Sequence, residues 1–179
     1  METQSRFSLQ DFYGGSIHAR LAVAQRLYAD LAPELAANAA FVRMLAKAEA
    51  LEKELSRTMA ALDLGALCAV CGVKPGGGCC SSFMAGENDV LQLLINLLAG
   101  VPVAALREDA ECCFLGARGC LLRFKPMFCL NYNCRQIRLG AGPERMLRLD
   151  EATGELLQQQ YALEQLLLEV LRKRGTLTG

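Results

Sequence analysis

Cys68-Ala69-Val70-Cys71-Gly72 opens a segment that closes at Cys134 and holds every cysteine of the chain. Between those ends come Cys79-Cys80, Cys112-Cys113-Phe114-Leu115, Cys120 and Cys129, nine in all. Cysteines placed one by one as small core residues would not crowd into the middle third of a sequence. The segment therefore reads as a metal or metal-cluster site, and the flanks as its scaffold.

Two intervening residues let Cys68 and Cys71 reach a single tetrahedral ion from one turn, and Gly72 offers the positive φ of a metal knuckle. A thioredoxin-type redox reading of the same CxxC needs a strand-to-helix setting, which is not visible here. Cys79 and Cys80 are adjacent, so their sulfurs are expected to point apart, toward different ions or different corners of one cluster. The loop from Lys74 to Gly78 can carry this pair back to the first. It lacks the order of a phosphate-binding loop. Cys113, Cys120, Cys129 and Cys134 form a second group of four. With Cys68, Cys71, Cys79 and Cys80 they give eight candidate thiolates, enough for two four-thiolate zinc sites or for one iron–sulfur cluster with cysteines to spare. Eight exceed what one structural zinc needs, which favours iron–sulfur. Cys112 is left as a buried small hydrophobe. On this reading Cys68→Ala, Cys71→Ala and Cys120→Ala lose metal and Cys112→Ala keeps it.

The order of these elements resembles the YkgJ-type CxxCxxCC family of zinc- or iron-chelating domains. The likeness covers about residues 66–135 and runs through the CxxC, the Cys79-Cys80 pair, a helical insert, Cys113-Phe114-Leu115, Arg118-Gly119-Cys120 and Pro126-Met127-Phe128-Cys129. Cys134 is similar to a further cysteine of some members. Two departures stand out. The spacer from Gly72 to Gly78 is longer than the family's order implies, and Lys125 replaces an arginine that would make forked hydrogen bonds. The resemblance implies metal chelation and no reaction. Flagellin lysine N-methylase, a relative by domain content, is an enzyme, but nothing in this chain carries that activity over.

Outside the cysteines the pattern is helical. Ala and Leu dominate and Trp is absent, which favours helix over sheet. Residues 1–15 read as a loose arm. Ser16 caps a helix with Ile17, Leu21, Ala24, Tyr28 and Leu31 on one face, expected to stop at Pro33. A second helix, from Pro33 or Asn38 to Leu62, carries Phe41, Met44, Ala48, Leu51, Leu55, Met59 and Leu62 and a Glu49–Lys53 pair, with Gly65 as its stop. Asn88 or Asp89 caps a short helix from Val90 to Ala99 that is apolar nearly all round, and Pro102 starts another to about Asp109. Cys112–Phe124 reads as a β-hairpin turning on Gly116–Gly119, which would bring Cys113 near Cys120. Cys129–Cys134 reads as a loop or single turn. From Pro143 the chain is helical, with a break allowed at Gly154, and it ends on Arg172-Lys173-Arg174.

The expected fold is mainly α: a helical bundle around a cysteine-rich metal-binding core with one small β-hairpin. Its parts are an N-terminal helical extension (1–65), the core (66–140) and a C-terminal helix (141–179), in one compact domain. The 19 basic and 19 acidic residues balance, so nucleic acid is excluded as a partner. No apolar run is long enough for a membrane span. The polar start lacks a secretory pattern, and a cytoplasmic location, where thiols stay reduced, is expected. The implied partners are a metal ion or cluster and, through the helical faces, a protein or a second copy. His18, the one histidine, reads as a solvent-facing helix residue, and Glu108-Asp109 and Asp150-Glu151 as ordinary surface acids. No catalytic motif is present. Three roles stay open: a redox or metal-handling protein, a zinc-stapled interaction module without catalysis, and a cluster-dependent enzyme.

Overall fold

The computed structural model describes residues 7–72, 78–103 and 112–178. The chain enters on β1 (Phe7–Ser8) and α1 (Leu9–Tyr13). The expected loose arm is folded from Phe7 onward. Ser8 and Asp11 form a reciprocal cap, the Asp11 carboxylate accepting the Ser8 N–H at 2.7 Å. Phe7 and Phe12 are buried beside each other, edge to face. Burial of these two rings supplies what the polar surroundings do not.

Helix α2 (Ile17–Ala37) starts where Ser16 accepts the Ala19 N–H at 3.2 Å. It does not stop at Pro33 but passes through it. Leu31 and Leu35, on either side, are almost completely buried. Their burial outweighs the one backbone hydrogen bond that proline removes on an exposed face. Helix α3 (Ala39–Ala61) is capped by the Asn38 side chain, which accepts from Ala40 and Phe41. Phe41, Ala48 and Leu55 of its apolar stripe are buried. Glu49 pairs with Arg123 rather than Lys53, a contact that ties α3 to the segment between Cys120 and Met127.

Gly65 does not end the preceding helix. A turn with Asp63 at φ 53° does, and Gly65 belongs to α4 (Leu64–Gly72). After α5 (Ser82–Gly86), α6 (Val90–Leu98) is capped by Asp89, which accepts the Gln92 N–H at 2.8 Å. Every residue from Val90 to Asn96 is buried. The helix expected from Pro102 to Asp109 falls mostly outside the described residues. Strands β2 (Leu115–Gly116) and β3 (Gly119–Cys120) form the expected antiparallel hairpin, in shorter strands, with Leu115 opposite Cys120.

Two further helices follow, α7 (Met127–Asn131) and α8 (Arg135–Ala141). The long α9 (Pro143–Lys173) runs unbroken through Gly154. Thr153 and Leu156 flank that glycine in the core and hold it helical. The chain ends on β4 (Leu177–Thr178), which pairs in parallel with β1 and ties the two ends of the described chain together.

The fold is mainly α with this one hairpin. Helix α3 packs on α9 and α2 on α6, with Leu27, Leu55, Leu94, Leu156, Leu163 and Leu167 at 2% exposure or less between them. The cysteine-bearing elements gather at one end. Helix α4 meets α3 and both hairpin strands, while α7 and α8 lie against α9. No helix among the described residues is long and apolar enough to cross a membrane.

Candidate metal centre

Cys68 and Cys71 sit three residues apart on α4, so both sulfurs leave one face of a regular helix. This replaces the expected knuckle: Gly72 is helical and is not needed for a positive φ. The chain returns to this face at Gly78. A Cβ there would lie 2.5 Å from Cys71 Sγ, so only glycine allows the approach. That return delivers Cys79 and Cys80.

The adjacent pair does not diverge. Both thiols line the same two cavities, and each acts on the other: the Cys80 thiol lowers the Cys79 pKa, while Cys79 and burial raise that of Cys80. The extended backbone that would separate adjacent side chains is replaced here by bends leading into the Ser81 cap of α5.

The hairpin docks on α4 through two glycines. A Cβ on Gly65 would lie 2.8 Å from the Arg118 carbonyl oxygen, and one on Gly119, at φ 111°, would lie 3.3 Å from the Gly65 Cα. Cys120 is carried in on β3. Beyond it the chain is clamped by Asn96 of α6. Its amide donates to the Phe124 carbonyl at 2.7 Å and its oxygen accepts from the Arg123 and Phe124 N–H groups at 2.9 and 3.0 Å. Gln160 of α9 donates to the Lys125 carbonyl at 3.0 Å. These bonds set the path of Lys125 and the start of α7, which carries Cys129. Cys134 then caps α8.

Three adjoining cavities lie among these elements, and Cys68 and Cys80 line all three. The first adds Cys79 and Cys129, the smallest adds Cys71, Cys79 and Cys134, and the largest, about 280 Å³, adds Cys112, Cys120 and Cys129. Seven of the eight thiols expected from the sequence thus face one connected region. Cys113 lines none of the three, and Cys112 takes a place on the wall. The reason is local. The Leu115 N–H donates to the Cys112 carbonyl at 2.9 Å, so the chain turns before β2 instead of running on as a strand. Cys112 is also buried among apolar side chains, as expected of a small hydrophobe.

All nine cysteines are free thiols. Burial pushes Cys68 and Cys113 up to about 11 and Cys129 up to about 12, and neighbouring sulfurs add to each. Burial also raises Cys112 and Cys120. Cys120 is solvent-exposed on one side and lines the largest cavity on the other. Lys125, on the wall of the largest cavity, opposes the shift at Cys68, Cys120 and Cys129 by favouring their thiolates.

The donor set fits a soft metal in kind, since among the described residues none of the three linings contains Asp, Glu or His. Among the described residues no three Cys, His, Asp or Glu side chains already stand as a coordinating group. His18 is exposed on α2 and lines none of these cavities. Sequence reading passed over Lys125 as a group facing the thiols, and Met59 and Met84, which line the first and largest cavities. Met59 falls in the apolar stripe of α3, and no sequence signal marks Met84. The chain matches no family model, no curated protein and no solved structure in comparisons with each.

Proposed function

We propose that this is a cytoplasmic metal-binding protein that holds an iron–sulfur cluster or zinc through its clustered thiolates, in a redox or metal-handling role. The observation that carries the reading is the convergence of Cys68, Cys71, Cys79, Cys80, Cys112, Cys120, Cys129 and Cys134 on one connected set of cavities whose described lining has no carboxylate or imidazole. Cys113 belongs to the sequence-derived ligand set and enters only if the turn before β2 opens. Binding an ion draws the sulfurs inward from their present positions and releases their protons. Bound there, an iron–sulfur cluster supplies one-electron transfer, and zinc supplies a structural cross-link. Lys125 offsets the negative charge that several thiolates bring to a half-buried site.

Anaerobic purification with metal and sulfide analysis tests this. Brown protein with sulfur-to-iron absorption selects the cluster. Colourless protein with stoichiometric zinc selects the structural ion. Protein that takes up neither metal after anaerobic reconstitution overturns the reading.

One observation favours a second reading, a zinc-stapled module that binds a protein partner or a second copy. Elements at the cysteine end expose large apolar side chains: Val70 on α4, Phe83 on α5, Phe128 on α7 and Leu139 on α8. Zinc in the purified protein together with a self-associated form in sedimentation would select it.

A further inference from the structure

The first and largest cavities share one stretch of wall, formed by Met59, Leu64, Cys68, Cys80, Met84 and Cys129. Five of these six residues carry sulfur. The chain has six methionines, and among the described residues only these two line the three cavities at the cysteine end. Core filling is the ordinary use of methionine, and Met59 does pack against the main apolar cluster. Met84 is only half-buried and stands outside that cluster. It is held toward the wall by α5, whose first turn is fixed by Ser81 accepting the Met84 N–H at 3.3 Å.

Thioethers discriminate among soft metals. Zinc sites use thiolate, imidazole and carboxylate, and iron–sulfur clusters use thiolate. Thioether sulfur joins thiolate where the ion is copper(I). We propose that the shared wall is a copper(I) site, in which Met59 and Met84 supply thioether sulfur and one or two of Cys68, Cys80 and Cys129 supply thiolate, within the three or four donors that copper(I) takes. The proposal rests on the clustered-thiolate reading above and adds copper(I), at this wall, to the metals that reading names. A monovalent ion suits the position, because one thiolate neutralises it in an apolar lining that includes Leu64.

The test is anaerobic titration of the full chain with copper(I) delivered from a chromophoric chelator, alongside a zinc titration. Three proteins are compared: the parent, Met59→Leu/Met84→Leu and Cys68→Ser/Cys80→Ser. Leucine keeps the apolar volume, so the fold is expected to survive. The methionine double variant is expected to lose copper(I) affinity by about tenfold or more, roughly 1.4 kcal/mol, with zinc affinity unchanged. The cysteine double variant loses both. Copper(I) binding unchanged in the methionine variant, with loss in the cysteine variant, overturns this proposal and leaves metal binding standing. A parallel loss of copper and zinc in the methionine variant shows a packing role and also overturns it. A parent that binds neither copper(I), zinc nor iron overturns both readings. If the methionine variant does not fold, selenium-edge absorption of selenomethionine-labelled parent decides. A copper neighbour to selenium supports the site, and its absence removes it.

Discussion

Asn96 is fully buried on α6 and uses its whole side chain to hold the segment between the hairpin and α7. Asn96→Leu keeps the volume and strands the Arg123 and Phe124 N–H groups and the Phe124 carbonyl. The expected loss is about 2–4 kcal/mol, since each buried unpaired group costs about 1–3 kcal/mol. Denaturant unfolding of the metal-free protein measures it. An unchanged midpoint would show that the segment finds other partners. A second residue-scale effect lies at Glu164, pushed up to about 7 by burial and by Asp89. Tyr13 of α1 faces both acids, Arg20 of α2 acts on Asp89, and Arg172 of α9 acts on Tyr13. The folded form of Glu164 holds its proton from pH 4.5 to about 7 while the unfolded form has lost it. Stability therefore falls as pH rises through that window and stays lower above it. Glu164→Gln should match the parent in thermal unfolding near pH 4 and exceed it above pH 7. The gain is about 1–2 kcal/mol once solvent screening is allowed for. Equal curves at both ends would place the carboxylate in water.

At the scale of elements, two glycines inside helices are expected to respond in opposite ways. A Cβ on Gly154 of α9 meets nothing within 4 Å. Gly154→Ala should stabilise by about 0.5–1 kcal/mol, the usual helix-interior difference. Gly65→Ala instead drives a methyl into the Arg118 carbonyl at 2.8 Å. The hairpin must then lift from α4, at a cost of about 1–3 kcal/mol and with weaker metal uptake. Melting curves and metal stoichiometry of the two variants separate these effects. The same positions show what sequence can tell. The cap at Ser16, and that at Asp89 as one of two neighbouring choices, were legible because each side chain satisfies nearby N–H groups. The break expected at Pro33 failed, and the one allowed at Gly154 did not form, because burial on both sides held the helix. α8 was not expected, and β1 with β4 depends on a pairing between chain ends that no local pattern encodes. In the site, the crowding of cysteines was legible. The choice of Cys112 over Cys113 was not, because a tight turn replaced the strand alternation on which it relied. Nor was the meeting of Cys79 with Cys80 on the same cavities, which follows from the bends ahead of α5.

For the molecule as a whole, the two ends differ in what holds them. The α2, α3, α6 and α9 body buries Leu27, Leu31, Leu94, Leu156 and Leu163 to 1% exposure or less. Such a core is self-sufficient at this chain length. At the cysteine end α4 and α5 are thinner: Leu64 is the one buried apolar side chain in the described part of α4, and Ala85 the one in α5. An ion bound as proposed would add its free energy there, linking α4 and α5 to the hairpin and α7, whose own Phe114, Leu115 and Leu130 are buried. Removing the metal with a chelator under reducing conditions should leave far-ultraviolet dichroism nearly intact and shift the main melting transition little. Hydrogen exchange should accelerate across residues 64–72, 78–86 and 112–141 while α6 and the central turns of α9 stay protected, a local opening of the kind expected where buried contacts are few. A chelator that melts α6 and α9 together with the cysteine end would show instead that the ion is a keystone of the entire fold. The body's own apolar burial would then be too weak to stand without it.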